Sequence, residues 1–289
     1  MAVPSFTPTK PNPNPSTVTD ALWWFWLQFK AHEPSVLLGG IYANKPGFHN
    51  TGAKVVDHGQ GNARTDYSIR DKVNRSGTHW RDRAAAIDLT FPDAQRGNYA
   101  TIARYSKRLY NSGRDAGDPR LGLGVYDFYG QIDNDAAVEG WNEHGEHDTT
   151  SDASHLWHIH ISLLRSKVDD HWAMWALLTV LMGWSTAKWR KSLPADAPKP
   201  APVPTPATPA KLPDHPLGKR TLSYKPSPNM LGGTDVLYVQ KFIGPNRAGP
   251  ADGWYGTRTR DGVRWYQRMR GITADGVVGK TTWAHLTGR

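Results

Sequence analysis

Histidines crowd one short run of the chain, Ser154-His155-Leu156-Trp157-His158-Ile159-His160-Ile161-Ser162, in which apolar and polar residues alternate. Alternation of this kind reads as a strand, and a strand sends every second side chain the same way. His158, His160 and Ser162 therefore share one face, while Trp157, Ile159, Ile161 and Leu163 share the other. Imidazoles two positions apart can serve one metal or one substrate. Neutral imidazole is a common zinc ligand, and zinc held by histidine and carboxylate with one position open activates a water for hydrolysis. The alternative is an ordinary antiparallel strand whose histidines face solvent.

A carboxylate to complete such a site lies in Ala84-Ala85-Ala86-Ile87-Asp88-Leu89-Thr90-Phe91, a second alternating run with Ala86, Asp88 and Thr90 on one face and Ile87, Leu89 and Phe91 on the other. An aspartate on a core strand is rarely buried unless it is paired or bound to metal, so Asp88 is either a ligand or half of a salt bridge. Between the two runs, residues 98–112 show helical spacing in Tyr99, Ile102 and Leu109 and stop at Gly113, and Leu121 to Tyr129 reads as another strand. The order strand, helix, strand, long loop, strand lets Asp88 and the histidine pair converge on one edge of an antiparallel sheet. The long loop, residues 131–150, carries Glu139, Glu143, His144, Glu146, His147 and Asp148. These types suit a second metal site, but without a fixed spacing they read as the solvated wall of a cleft.

A chain of 289 residues suggests roughly two domains, and an apolar fraction of 38% with 13 tryptophans is enough for real cores. The absence of cysteine excludes a disulfide scaffold and any thiolate zinc site, so a metal must be held by His, Asp or Glu. A formal net charge of +9 favours an anionic partner. The charges are scattered and form no recognisable nucleic-acid motif, so on charge alone an acidic polymer surface such as a bacterial cell wall is as good a partner as DNA.

The first 19 residues, rich in Pro and Thr, lack the cationic start and apolar core of a secretory signal and read as a flexible tail. Leu22 to Leu27 and Trp172 to Trp184 are the most apolar runs. Both fall short of the roughly 20 residues of a membrane helix and are expected in the core, with an amphipathic surface helix as the alternative for the second. Residues 194–216 are dense in proline, which removes backbone donors and fixes extended geometry, so they read as a linker between segments 20–193 and 217–289.

The C-terminal segment carries an internal echo, Asp252-Gly253-Trp254-Tyr255-Gly256-Thr257-Arg258-Thr259 against Asp275-Gly276-Val277-Val278-Gly279-Lys280-Thr281-Thr282. Asp-Gly makes a turn, and the following Gly-Thr or Gly-Lys opens a helix. Spaced apolar residues, Val236, Val239 and Phe242, then Val263, Tyr266 and Met269, then Trp283 and Leu286, predict three short helices. With Gly232-Gly233-Thr234-Asp235-Val236 and Trp265-Tyr266-Gln267 in step, the segment resembles the peptidoglycan-binding domain of bacterial and phage wall hydrolases. That resemblance implies a three-helix, non-catalytic anchor for wall peptide or glycan.

The small Ala-rich strand ending in Asp, followed much later by His-x-His, resembles the zinc-dependent D-alanyl-D-alanine carboxypeptidase and L-alanyl-D-glutamate endopeptidase family. The likeness covers about residues 40–166 and is closest to members used as endolysins by phages of actinobacteria, whose Ser-Asp-x-Ser-His-Leu-Trp-His-Ile-His stretch is nearly Ser151 to His160 here. It implies His160 as the last zinc ligand, Asp88 as the middle one, and His155 or His158 as the base. Strand geometry puts His158 on the face of His160, so His158 is expected as the base and His155 as a substrate-side helper. The family's first histidine precedes its Asp by seven residues, a position filled here by Arg81. His79, two residues earlier, is the first choice for that ligand, with His49 and Asp82 as rivals.

The resemblance therefore implies an α+β chain in which an antiparallel-sheet zinc peptidase domain is joined to a three-helix wall-binding domain. It would be an endolysin cleaving amide bonds in peptidoglycan stems, without a signal peptide, held in the host cytoplasm until lysis and acting then at the wall, with no stable membrane insertion. The other readings are a degenerate peptidase that only binds wall or builds a virion, and a muramidase or zinc amidase. A muramidase normally needs paired carboxylates, and no convincing pair is found.

Overall fold

The computed structural model describes residues 5–57, 66–115, 117–194, 197, 212–225, 229–249 and 251–288. It divides into two units, Met1–Gly113 with Pro119–Gly145 and Thr149–Pro200, and a second formed chiefly by Ala201–Arg289. The expected linker, 194–216, falls mostly outside the described residues.

In the larger unit, strands β1 (Leu37–Gly40), β2 (Ala86–Thr90), β3 (Val125–Gly130), β4 (Glu139–Asn142), β5 (His147–Thr149) and β6 (His158–Leu163) form one sheet in the order β1-β2-β6-β3-β4-β5. The pairs β1 with β2, β2 with β6, β6 with β3 and β3 with β4 are antiparallel. Helices α1 (Asp20–His32), α2 (Gly52–Asp57), α3 (Tyr67–Arg70), α4 (Ala100–Arg114), α5 (His171–Leu181) and α6 (Thr186–Ser192) complete an α+β unit.

Register gives the sheet two unlike faces. Across β2 and β6, Ala86 pairs with Ser162, Asp88 with His160 and Thr90 with His158. On the other side of β6, Asp127 pairs with Ser162 and Tyr129 with His160. The alternate residues, Ile87, Leu89, Phe128, Ile159 and Ile161, are fully buried in the core, as the period of two requires.

Both apolar runs become core helices. In α1, Leu22, Trp24, Phe25, Trp26 and Phe29 are buried, and Thr19 caps the first turn by accepting from Leu22 N. In α5 every residue from Ala173 to Leu181 is buried, and Asp170 accepts from Trp172 N and Ala173 N at its start. The two helices pack on each other, so α5 keeps no apolar face for a membrane surface. Among the described residues no helix is long and apolar enough to cross a membrane.

The segment expected to be a flexible tail follows a fixed course from residue 5. The Phe6 ring meets the edges of Trp24 and Trp172 at 5.1 and 4.9 Å between centroids. Trp24 Nε1 donates to Ser5 O and Trp23 Nε1 to Lys10 O. Indole donors on α1 satisfy a Pro-rich segment that has few partners of its own, a long-range effect that composition does not reveal.

The second unit contains α7 (Thr234–Ile243), α8 (Pro245–Ala248), α9 (Thr257–Met269) and α10 (Lys280–Thr287), which are the three expected helices plus a one-turn helix between the first two. Glycines 233, 256 and 279 stand at the N-caps of α7, α9 and α10, at one constant spacing. Val236, Val239, Tyr255, Val263, Tyr266, Val278, Trp283 and Leu286 form the core. Phe242 and Met269, which continue the apolar spacing, lie in the last turns of α7 and α9 and are 45% and 66% exposed.

The echo is a structural duplication. Gln240 Nε2 donates to Asp252 Oδ1, Trp254 O and Thr259 Oγ1, and its Oε1 accepts from Gly253 N. Gln267 repeats all four bonds with Asp275 Oδ1, Val277 O, Thr282 Oγ1 and Gly276 N. Both glutamines are 1% exposed, so each fastens one Asp-Gly turn to the core with its amide fully used.

Candidate metal centre

On the polar face of the sheet, three side chains converge from three distant parts of the chain. Asp88 Oδ1 lies 2.8 Å from His160 Nδ1 and 3.1 Å from His49 Nε2, and the two ring nitrogens are 3.2 Å apart. β2 supplies Asp88, β6 supplies His160, and the loop after β1 supplies His49. The geometry thus brings together two of the expected ligands and the rival histidine.

His79 stands elsewhere. It lies in a turn before β2, with Nδ1 3.2 Å from Asp82 Oδ1 and Nε2 3.6 Å from Asp169 Oδ2. Asp82 is half exposed and pairs with Arg83, so neither rival from this turn joins the cluster. It is His49 and not His79 that the structure brings to Asp88 and His160, for a reason of long-range packing. Arg165, fully buried just beyond β6, donates from Nη1 to Asn50 O and Arg83 O and from Nη2 to Gly47 O and Ser68 Oγ. Its guanidinium also lies over the Phe48 ring at 5.5 Å. These bonds draw residues 47–50 inward and leave His49 4% exposed. Gly47 completes the loop with a φ of +102°, and a Cβ there would run into the Tyr67 hydroxyl.

Hydrogen bonding fixes which atoms face the centre. His49 Nδ1 is 2.8 Å from Ile41 O, a partner that can only accept, so Nδ1 carries the proton and Nε2 presents its lone pair. His160 Nε2 is 3.0 Å from Ser162 Oγ, which can accept its proton and leave the Nδ1 lone pair inward. A carboxylate oxygen and two ring lone pairs therefore point at one small volume, which calls for a cation. The donor set fits zinc. Nitrogen and oxygen donors about 2.0–2.2 Å from a tetrahedral ion lie about 3.3–3.6 Å from one another, so the three groups, now 2.8, 3.1 and 3.2 Å apart, would spread by a few tenths of an ångström to hold one.

His158 and His155 flank the cluster. His158 is 8% exposed, with Nε2 3.8 Å from Asp88 Oδ1, and burial pushes its pKa down to about 4. A 3-10 turn over Ala153–Leu156, capped by Asp152, precedes β6 and carries His155. That turn folds the His155 ring back over the site, 4.6 Å from the His158 ring and 5.8 Å from that of His160. Burial lowers its pKa too, while Nδ1 stays 3.1 Å from Asp152 O.

Two residues on this face had no signal of their own in the sequence. Tyr129, across from His160, has its ring 5.4 Å from His155 and 6.0 Å from His160. Its hydroxyl donates to Asp127 Oδ2 at 3.2 Å. Only the alternation of β3, Asp127 and Tyr129 against Phe128, could have marked them.

The acidic loop stays apart from this centre. Asp133, Asp135 and Glu139 cluster near the surface, and burial, with those two aspartates, raises Glu139 to about 7. His144 stacks on Tyr126 and Glu143 accepts from Trp141 Nε1.

Residues 238–286 match the family described as "Putative peptidoglycan binding domain". The C-terminal unit is thus supported as a peptidoglycan-binding domain, with peptidoglycan as its partner, which is compatible with association with the cell wall. No curated protein and no solved structure matches the chain.

Proposed function

We propose that the chain is a zinc-dependent peptidoglycan hydrolase of the endolysin kind, which cleaves amide bonds in wall peptide stems while its C-terminal unit holds the wall. The observation that carries this reading is the convergence of His49 Nε2, Asp88 Oδ1 and His160 Nδ1 on one point beside two further histidines. Three protein ligands with a position left for water or substrate are the catalytic arrangement of zinc, as opposed to the closed four-ligand structural one. Bound there, zinc would polarise a scissile carbonyl and favour ionisation of a water.

The chain's own groups supply the rest. His49 and His160 are oriented by Ile41 O and Ser162 Oγ, so their inward lone pairs need no reorganisation. His158, kept neutral by burial, can take a proton from an attacking water and return it to the leaving amine. His155 and Tyr129 line the neighbouring space, where a peptide stem would lie.

Metal analysis of the purified protein, combined with mass spectrometry of digested peptidoglycan, tests the reading. One zinc per chain and new peptide amines are expected. New reducing ends, freed lactyl groups, or intact walls in the presence of stoichiometric zinc would overturn it.

A further inference from the structure

The duplicated turn of the C-terminal unit contains its own control experiment. Trp254 and Val277 occupy equivalent positions, with the N–H of each accepted at 2.8 Å by Asp252 or Asp275. The carbonyl of each accepts from Gln240 or Gln267 at 3.0 Å. The residues that follow, Tyr255 and Val278, are both fully buried. The fold therefore requires an apolar side chain at the second of these positions, and valine suffices at the first.

Trp254 nevertheless carries an indole that is 45% exposed. Its Nε1 makes no hydrogen bond among the described residues. The ring lies along the backbone of Gly232, which bridges to Trp254, and a Cβ on Gly232 would come within 2.6 Å of ring atom Cζ3. Glycine here lets the indole rest directly on the backbone, while nearly half of the residue stays open to solvent. A large amphipathic ring gains free energy when its face is covered and its N–H finds an acceptor. An exposed tryptophan where valine satisfies the fold points to a contact made outside the chain.

We infer that Trp254 is a stacking platform for a sugar of the peptidoglycan glycan strand, an assignment that rests on wall binding by this unit. The C–H-rich face of a pyranose would cover the indole, and a hydroxyl or N-acetyl oxygen would accept from Nε1. Charge at the platform argues for glycan over stem peptide. Arg220, which donates to Gly232 O, is already neutralised by Asp235 through bonds of 2.8 and 2.9 Å. With Arg220 paired and the Asp252 carboxylate bonded to Trp254 N, the plate suits an uncharged N-acetylated sugar better than the carboxylate end of a stem peptide.

The test uses full-length chains carrying Asp88→Asn, so that hydrolysis does not consume the probes, with Trp254 intact or replaced by Val or Phe. Binding is measured to intact walls, to glycan strands stripped of stem peptides, and to soluble stem peptides. Trp254→Val should bind stripped strands about tenfold more weakly at an unchanged melting temperature, with Trp254→Phe in between. Undiminished binding of stripped strands by Trp254→Val, or a loss confined to stem peptides, overturns the platform while leaving wall anchoring in place. Failure of the parent chain to sediment with intact walls removes both.

Discussion

Asp88 and His160 face each other across two antiparallel strands, and the carboxylate oxygen of one lies 2.8 Å from the ring nitrogen of the other. Directly opposed residues are the nearest cross-strand neighbours a sheet offers, so two of the three converging groups are set by strand register alone. A one-residue slip of β6 would turn His160 into the core and bring Ile159 or Ile161 to the site.

The first ligand provides the sharpest test of the centre. His49→Ala, Asp88→Ala and His160→Ala should each lose stoichiometric zinc and hydrolysis, whereas His79→Ala should keep both. Zinc content of the four purified variants decides the matter. Retention of zinc by His49→Ala together with its loss in His79→Ala would reverse the assignment.

His158 and His155 should separate kinetically. A general base contributes about a hundredfold to ten-thousandfold, so His158→Gln should fall in kcat/KM by that much on a soluble wall peptide while zinc is retained. His155→Gln should lose less. The opposite order would exchange their roles.

Acid stability should report the burial of His158. Its folded pKa is lowered to about 4, below the ordinary value of 6.5, so the unfolded chain binds this proton more tightly. The associated stability is fully present above pH 6.5 and is lost as the pH falls towards 4. In metal-free protein, which avoids ligand protonation coupled to zinc release, melting temperature should drop across this window. His158→Gln should flatten that slope.

Arg165→Met should weaken zinc binding although Arg165 touches none of the converging atoms. Four groups would lose a buried charged donor, at a cost of roughly 3 kcal/mol or more, and residues 47–50 would no longer be drawn inward. Calorimetric unfolding and zinc titration would show both effects. A variant with normal zinc affinity would detach His49 from this support.

Gln267→Leu should destabilise the C-terminal unit by roughly 2–4 kcal/mol, because Asp275, Gly276 N and Val277 O would lose a partner in a buried turn. The equivalent Gln240→Leu should cost about the same. Chemical denaturation of both variants tests whether the duplicated turns are equivalent energetically as well as geometrically.

Strand alternation made much of this site legible beforehand. The faces of Asp88, His158, His160 and Ser162 follow from a period of two, and the Gly-Thr and Gly-Lys helix entries from local turn chemistry. His49 was harder, because its place depends on Arg165, which is 115 residues away in sequence from its Asn50 acceptor. The fixed course of residues 5–19 depends on indole donors from α1 in the same way. Position in a motif favoured His79, which has a suitable ring but no inward support.

Arg165 also has a kinetic meaning. Its bonds to Arg83, Ser68, Asn50 and Gly47 span 82 to 118 residues of chain, and closing segments of that length costs entropy before any contact repays it. The loop bearing His49 can settle only after the far end of β6 has arrived. The convergence of His49 with Asp88 and His160 is therefore expected among the last parts of its unit to become organised, once residue 165 has left the ribosome.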